Sequence, residues 1–247
     1  MKIIAMIPAR YAATRFPAKL MQDLAGKTVI RHTYENTVAT GLFNEVWVVT
    51  DSELIFNEIV SHGGKAIMSM HPHESGSDRI AEAIAEMSAN TVTDEDIDII
   101  VNVQGDEPFV KKEPLEKLVR LFNDPSVVVG SMMRVMNDEI EIQNPNCVKV
   151  VVNKNNDALY FSRSVIPFLR NKESGIKYFL HIGVYAYRKE TLMRFTALEK
   201  SILESTEHLE QLRYLENGIP IRMAEVDFIN TAIDIPEDLE KARNLMD

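Results

Sequence analysis

Lys2, Arg10, Arg15 and Lys19 are the only charged side chains in the first 20 residues of a chain whose formal net charge is −10. Four cations without a carboxylate, in an otherwise acidic protein, make a local site for an anion. Arg10, Arg15 and Lys19 follow a short apolar run, Lys2 to Pro8, that is closed by proline. From there they can converge on a polyphosphate and neutralise charge during group transfer. A solvated basic loop is the plainer use of the same residues.

Three further stretches carry chemistry. In "VNVQGDEP", Gly105 permits a sharp turn that presents Gln104, Asp106 and Glu107 at the end of an apolar run. A carboxylate there can hold a hard cation such as Mg²⁺, which takes oxygen ligands and bridges phosphates, or it can simply cap the loop. Asp234 in "NTAIDIPEDLE" offers the second carboxylate, with a helix N-cap as its alternative role. In "HPHESGSDRIAEA", Ser75-Gly76-Ser77 before a helix supplies backbone N–H groups and hydroxyls for a phosphate or a base, with Arg79 nearby. His71 and His73 have no third metal ligand beside them and read as solvent-exposed loop residues. Finally, Arg163, His181, Tyr185, Glu210 and Gln211 are polar residues set in apolar or helical frames, the makeup of a pocket for a carboxylated polyol. His181 by itself reads as a hydrogen-bonded structural histidine.

The elements that must position these residues alternate. Strands are expected at Lys2 to Pro8, "EVWVVTD", "KAIMSM" and "IDIIVNV". Helices are expected at residues 28–41, with Val29, Ile30, Thr33, Tyr34 and Val38 near one face, and at "DSELIFNEIVSHGG", "SGSDRIAEAIAEMS" and "KEPLEKLVRLF". That rhythm implies a parallel sheet with right-handed crossovers. "PSVVVGSMMRV" and "VKVVVN" then follow as strands with no clear helix between them, which points to antiparallel pairing at an edge or lobe. The last third reads as a strand at "YFLHIGVYAYR", helices at "KETLMRFTAL" and "EHLEQLRYLENG", a strand at "IPIRMAEV" and a closing helix from "IPEDLEKARNLM". Ligands of open α/β sheets bind beyond the carboxyl ends of strands, where the first candidate stretches fall.

At 247 residues the chain can bury a sizeable core. One domain, 1–247, with a lobe at roughly 130–190 is expected. A pI near 5.2 argues against nucleic acid or an acidic membrane surface as partner. The single cysteine, Cys147, cannot form an internal disulfide, and no leader-like start or eighteen-residue apolar span appears, so the expected location is the cytoplasm. A dinucleotide-binding turn needs G-x-G-x-x-G after the first strand, yet "PARYAATRF" has no glycine, which disfavours a nicotinamide oxidoreductase. "MQDLAGKT" ends like a P-loop but has Met21 where the first glycine is required.

These residues together resemble the 3-deoxy-manno-octulosonate (Kdo) cytidylyltransferases. The resemblance rests on "IPARYAATRFPAK", "HESGSDRIAEA", "VNVQGDEP", "NPNCVKVV", "ALYFSRSVIPF", "HIGVYAYR", "LEQLRYLENG" and "IDIPEDLEKAR", which span the chain in order. It implies an α/β, nucleotide-diphospho-sugar transferase-like fold, with a mostly parallel Rossmann-like sheet flanked by helices and a small dimerisation lobe. It also implies joining of Kdo to CTP with release of pyrophosphate, for the inner core of lipopolysaccharide, by a cytoplasmic homodimer that uses Mg²⁺.

On the same resemblance Pro8, Ala9, Arg10, Lys19, Ser75, Gly76 and Arg79 would hold CTP, and Asp106 and Asp234 would bind the metal. Arg15, Gln104, Arg163, His181, Tyr185, Glu210 and Gln211 would line the sugar site. Arg10, Lys19, Asp106 and Asp234 would carry the catalysis. The chain departs from the common family pattern at Ala18 for glycine, "KLM" for "KPL", Ser77 for threonine and "NTAID" for "GVD". A related acidic sugar such as 8-amino-Kdo or a sialic acid is the nearest alternative substrate, and a non-catalytic nucleotide-sugar-binding protein a more distant one.

Overall fold

The computed structural model describes residues 1–12, 16–73, 75–89, 97–171, 175–227 and 232–246. In chain order the first elements are β1 (Lys2–Ala9), β2 (Asp23–Leu24), β3 (Lys27–Thr28), α1 (Val29–Ala39), β4 (Glu45–Thr50), α2 (Glu53–Ser61), β5 (Ala66–Met68), α3 (Gly76–Ala89) and β6 (Ile97–Asn102). Then come α4 (Lys112–Arg120), β7 (Val129–Met136), α5 (Glu139–Gln143), β8 (Lys149–Val152), β9 (Ala158–Ser162), β10 (Tyr178–Arg188) and α6 (Lys189–Thr196). The chain closes with α7 (Ile202–Glu207), α8 (Gln211–Glu216), β11 (Arg222–Glu225) and α9 (Pro236–Asn244). Two compact units result, one of Met1–Lys112 with Ile229–Asp247 and one of Glu113–Phe228.

In the first unit the strand order is β6-β1-β4-β5, all parallel. Strands covered by helices on both faces should be apolar at consecutive positions, and they are. Ile4 to Ile7 of β1, Val48 and Val49 of β4, and Ile99 to Val101 of β6 have no accessible surface. Ile30, Ile55, Ile80 and Ile84 from α1, α2 and α3 are equally enclosed. The helical face expected for α1 needs one correction. Val38 is 48% exposed and Thr37 faces inward instead, its hydroxyl donating to the Thr33 carbonyl at 2.7 Å.

The second unit pairs β11-β7-β10-β8-β9, with β11 parallel to β7 and the other pairs antiparallel. The expected break in rhythm is therefore present. A short helix, α5, nevertheless lies between β7 and β8 where none was foreseen, started by the Asp138 side chain accepting from the Ile140 N–H. β9 was also unforeseen, and β11 starts at Arg222, later than the apolar run suggested.

The expected single helix over "EHLEQLRYLENG" is broken. His208 adopts a left-handed φ of 53° and separates α7 from α8. Among the described residues, no helix is long and apolar enough to cross a membrane.

Candidate active site

The carboxyl end of β1 opens on a cavity of about 290 Å³ within the first unit. It is lined by residues from each candidate stretch of that unit: Pro8, Ala9, Arg10 and Lys19, then Ser75, Gly76 and Arg79, then Gln104 and Asp106, and finally Asp234. Parallel strands end side by side, so the loops after β1 and β6 and the start of α3 must meet at this edge.

Two glycines make the meeting close. A Cβ on Gly105 would lie 3.1 Å from the Pro8 carbonyl oxygen and 3.3 Å from Ile30, and one on Gly76 would lie 3.0 Å from the Pro8 ring. The Thr33 hydroxyl donates to the Gly105 carbonyl at 2.9 Å, which ties α1 to the same turn.

Lys19 is the centre of the charge arrangement. Its ammonium grips Asp106 and donates to Asp234 at 3.0 Å. Burial alone would lower the Lys19 pKa, but the two carboxylates outweigh it and hold the ammonium above its ordinary value. Asp234 arrives because the Ile233 N–H donates to the Asp106 carbonyl at 2.9 Å. The N-cap alternative for Asp234 is not what the chain uses, since the Asp238 carboxylate accepts from the N–H groups of Asp234 and Ile235, both at 3.3 Å.

Two carboxylates aimed at one cationic position are a hard-oxygen donor set, and they fit a small divalent ion. Among the described residues no group of three or more His, Cys, Asp or Glu could hold a metal, so further ligands would have to come from phosphate and water.

The Ser75 to Arg79 stretch is positioned by α3. Ser75 starts the helix, its hydroxyl accepting from the Asp78 N–H at 3.1 Å and donating to the Asp78 carboxylate at 2.8 Å. Arg79 is 4% exposed and donates to Asp51 at 2.7 Å through Nη2. Its Nη1 is buried without a hydrogen-bond partner among the described residues. An orphaned guanidinium donor on the wall of a cavity is costly unless a ligand accepts from it. Arg10 is exposed at the cavity mouth, and Arg15 lies outside the described residues.

Sequence reasoning missed His73. Its companion His71 is indeed exposed, but the His73 side chain is only 15% exposed and lines the cavity. Glu82, which holds it, was also missed. The available signal was spacing, because Glu82 lies three positions after Arg79 on α3 and so shares its side of the helix.

In the second unit four of the five remaining candidates are brought together. Tyr185 Oη and His181 Nε2 are 2.9 Å apart, Ser131 Oγ lies 3.2 Å from the same nitrogen, and Gln211 Nε2 lies 3.4 Å from His181 Nδ1. Burial pushes His181 down to about 3 and Tyr185 well above its usual value, so both are neutral across the physiological range. Glu210 precedes α8 and acts electrostatically on Tyr185. Arg163 makes no hydrogen bond to this cluster among the described residues. Its guanidinium donates to the backbone carbonyls of Glu207 at 2.8 Å, Pro145 at 3.2 Å and His208 at 3.4 Å.

Comparisons with known proteins show the family and the fold. A family described as "Cytidylyltransferase" matches residues 4–226. A 3-deoxy-manno-octulosonate cytidylyltransferase of Flavobacterium johnsoniae is 59% identical, over 100% of this chain and 99% of the relative. One from Christiangramia forsetii is 51% identical, over 99% of this chain and 97% of the relative. Among solved structures, a CMP:2-keto-3-deoxy-manno-octonic acid synthetase complexed with CTP superposes with a TM-score of 0.91 at 41% identity, covering 100% of this chain and 98% of that one. A 4-diphosphocytidyl-2C-methyl-D-erythritol synthase from Anaerococcus prevotii shares the fold, with a TM-score of 0.65 at 12% identity over 99% and 98% of the two chains.

Proposed function

The chain belongs to the cytidylyltransferase family, and we infer that it acts as a 3-deoxy-manno-octulosonate cytidylyltransferase, transferring CMP from CTP to Kdo. The observation that carries this reading is the cavity at the end of β1, where Lys19 lies against two carboxylates and Arg79 keeps an unsatisfied donor.

CTP occupies that cavity in our reading. Arg10 and Lys19 face the phosphates, with Pro8, Ala9, Ser75 and Gly76 lining the nucleotide and Arg79 donating to the cytosine. The anomeric hydroxyl of Kdo attacks the α-phosphorus in line. The bond from that phosphorus to the bridging oxygen breaks, pyrophosphate leaves with the electron pair, and the proton of the attacking hydroxyl passes to water. Positioning and charge neutralisation do most of the catalysis, and no side chain stands out as a general base.

Asp106 and Asp234 would hold Mg²⁺, whose oxygen preference their carboxylates fit. Bound there, the ion would supply charge neutralisation for the phosphates and acidity for a coordinated hydroxyl.

Gln104, Arg15, Arg163, His181, Tyr185, Glu210 and Gln211 are proposed sugar residues. A neutral His181 beside Tyr185 and Gln211 suits a polyol, which exchanges hydrogen bonds rather than charge. The homodimer is also proposed. It is supported by the exposure of Leu159 at 60%, Phe168 at 86% and Leu169 at 38%, apolar side chains that a partner surface would cover. A cytoplasmic enzyme feeding lipopolysaccharide inner-core synthesis completes the reading.

Pyrophosphate release from CTP, measured with Kdo, 8-amino-Kdo and a sialic acid, with and without Mg²⁺, tests it. Release with Kdo that depends on Mg²⁺ is the expected result. Preference for another sugar would reassign the substrate, and no release with any would end the reading. In the same assay Arg163→Ala should raise the KM for sugar far more than that for CTP, whereas equal changes would remove Arg163 from the sugar site.

A further inference from the structure

Glu82 accepts four hydrogen bonds from the stretch 69–73. Its Oε1 takes the N–H groups of Met70 at 3.2 Å and His71 at 3.1 Å. Oε2 takes the Ser69 hydroxyl at 2.5 Å and His73 Nε2 at 2.8 Å. The two N–H groups and the Ser69 hydroxyl, which also donates to the His71 carbonyl, brace the loop. The fourth goes to a side chain on the wall of the nucleotide cavity, and loop bracing does not call for it.

A neutral imidazole whose Nε2 faces a carboxylate carries its proton there, which leaves Nδ1 as an acceptor. That Nδ1 has no hydrogen-bond partner among the described residues. Two residues lining the cavity thus carry unpartnered groups among the described residues, an acceptor on His73 and the buried donor Nη1 of Arg79.

This is the complement of a cytosine edge. Cytosine offers an exocyclic amine as donor beside ring acceptors, whereas uracil has a carbonyl in place of the amine. Arg79 alone cannot tell the two bases apart, because both carry a carbonyl oxygen at position 2. An acceptor can, since against uracil it would face another acceptor and leave both unsatisfied.

Resting on the cytidylyltransferase reading, we propose that His73 accepts from the cytosine amine and sets the preference for CTP over UTP, with Glu82 as the positioning residue that fixes its tautomer and orientation.

The test is kcat/KM for CTP and for UTP, with saturating Kdo, in the wild type, His73→Phe, His73→Asn, Glu82→Gln and the double variant His73→Phe/Glu82→Gln. The CTP:UTP ratio should fall about tenfold or more in His73→Phe and in Glu82→Gln, carried by the KM for CTP, while the KM for Kdo stays put. His73→Asn, which keeps an amide oxygen near the Nδ1 position, should restore most of the ratio. The double variant should lose no more discrimination than His73→Phe.

Equal losses with CTP and UTP would make Glu82 a loop brace only and overturn the proposal, and so would an unchanged ratio in a folded His73→Phe. Should His73→Phe fail to fold, the ratio in His73→Asn and Glu82→Gln decides: an unchanged ratio in Glu82→Gln overturns it. A wild type that releases no pyrophosphate from CTP with Kdo would instead strike the underlying reading, and this inference with it.

Discussion

Lys19 donates a hydrogen bond to Asp234, 215 positions further along the chain, at 3.0 Å, while the same ammonium grips Asp106. One cation thus joins the loop after β1, the turn after β6 and the approach to α9. Removing the Lys19 charge would leave the two carboxylates facing each other uncompensated in a half-buried site. The arrangement also keeps two carboxylates facing one position.

Asp106→Asn keeps the shape of the side chain and removes its charge. Turnover should fall by roughly 10²- to 10³-fold, with the circular dichroism spectrum unchanged. Activity within a few-fold of the wild type would remove Asp106 from the metal and phosphate chemistry.

Lys19→Met should cost about 1–3 kcal/mol at pH 8, because hydrogen bonds to two carboxylates go and their mutual repulsion remains. Its folded pKa is raised above the ordinary 10.5, so the stability it contributes is fully present below 10.5. That contribution is lost as pH rises through the higher folded value. Urea denaturation of both proteins at pH 8 and above pH 10.5 measures this, and a difference that does not shrink in alkali would contradict the ion-pair account.

Ala18 has φ of 53° immediately before Lys19, a left-handed conformation that strains any residue with a Cβ by about 1–2 kcal/mol. Glycine relieves that strain and adds some unfolded-state entropy, so Ala18→Gly should stabilise by up to about 1 kcal/mol. A rise of a few degrees in Tm is expected by scanning calorimetry. A lowered Tm would show that the methyl packs usefully.

His181 is neutral when folded, its pKa pushed down to about 3 by burial, against an ordinary value of 6.5. Between those values the unfolded chain binds the extra proton, so stability falls as pH drops from about 6.5 towards 3. His181→Gln has nothing to protonate there and should show a shallower acid loss. Parallel acid-denaturation curves for the two proteins would exclude His181 as the source.

Much of the first unit was legible from residues alone. The runs Ile4 to Ile7 and Ile99 to Val101 are apolar at every position because a parallel sheet is covered on both faces, and that pattern is local. Thr28 before α1 and Pro236 at the start of α9 likewise announce their helices through their own chemistry. The second unit was harder. The left-handed turn at His208 that splits α7 from α8 has no glycine to mark it, and α5 is too short for a period to show.

The sequence by itself determined which side chains could work on a phosphate, since the excess of cations before residue 20, the Gly105 turn and the Ser75 helix start are readable in any conformation. Only the tertiary structure decided which of them meet. His73 could not be told from exposed His71 until Glu82, on the next helix, drew its ring to the cavity wall. Asp234 could not be told from an N-cap until the Ile233 N–H found the Asp106 carbonyl. The reason is physical: a carboxylate or an imidazole takes its protonation, orientation and role from partners within about 3 Å, and those partners lie far away in the chain.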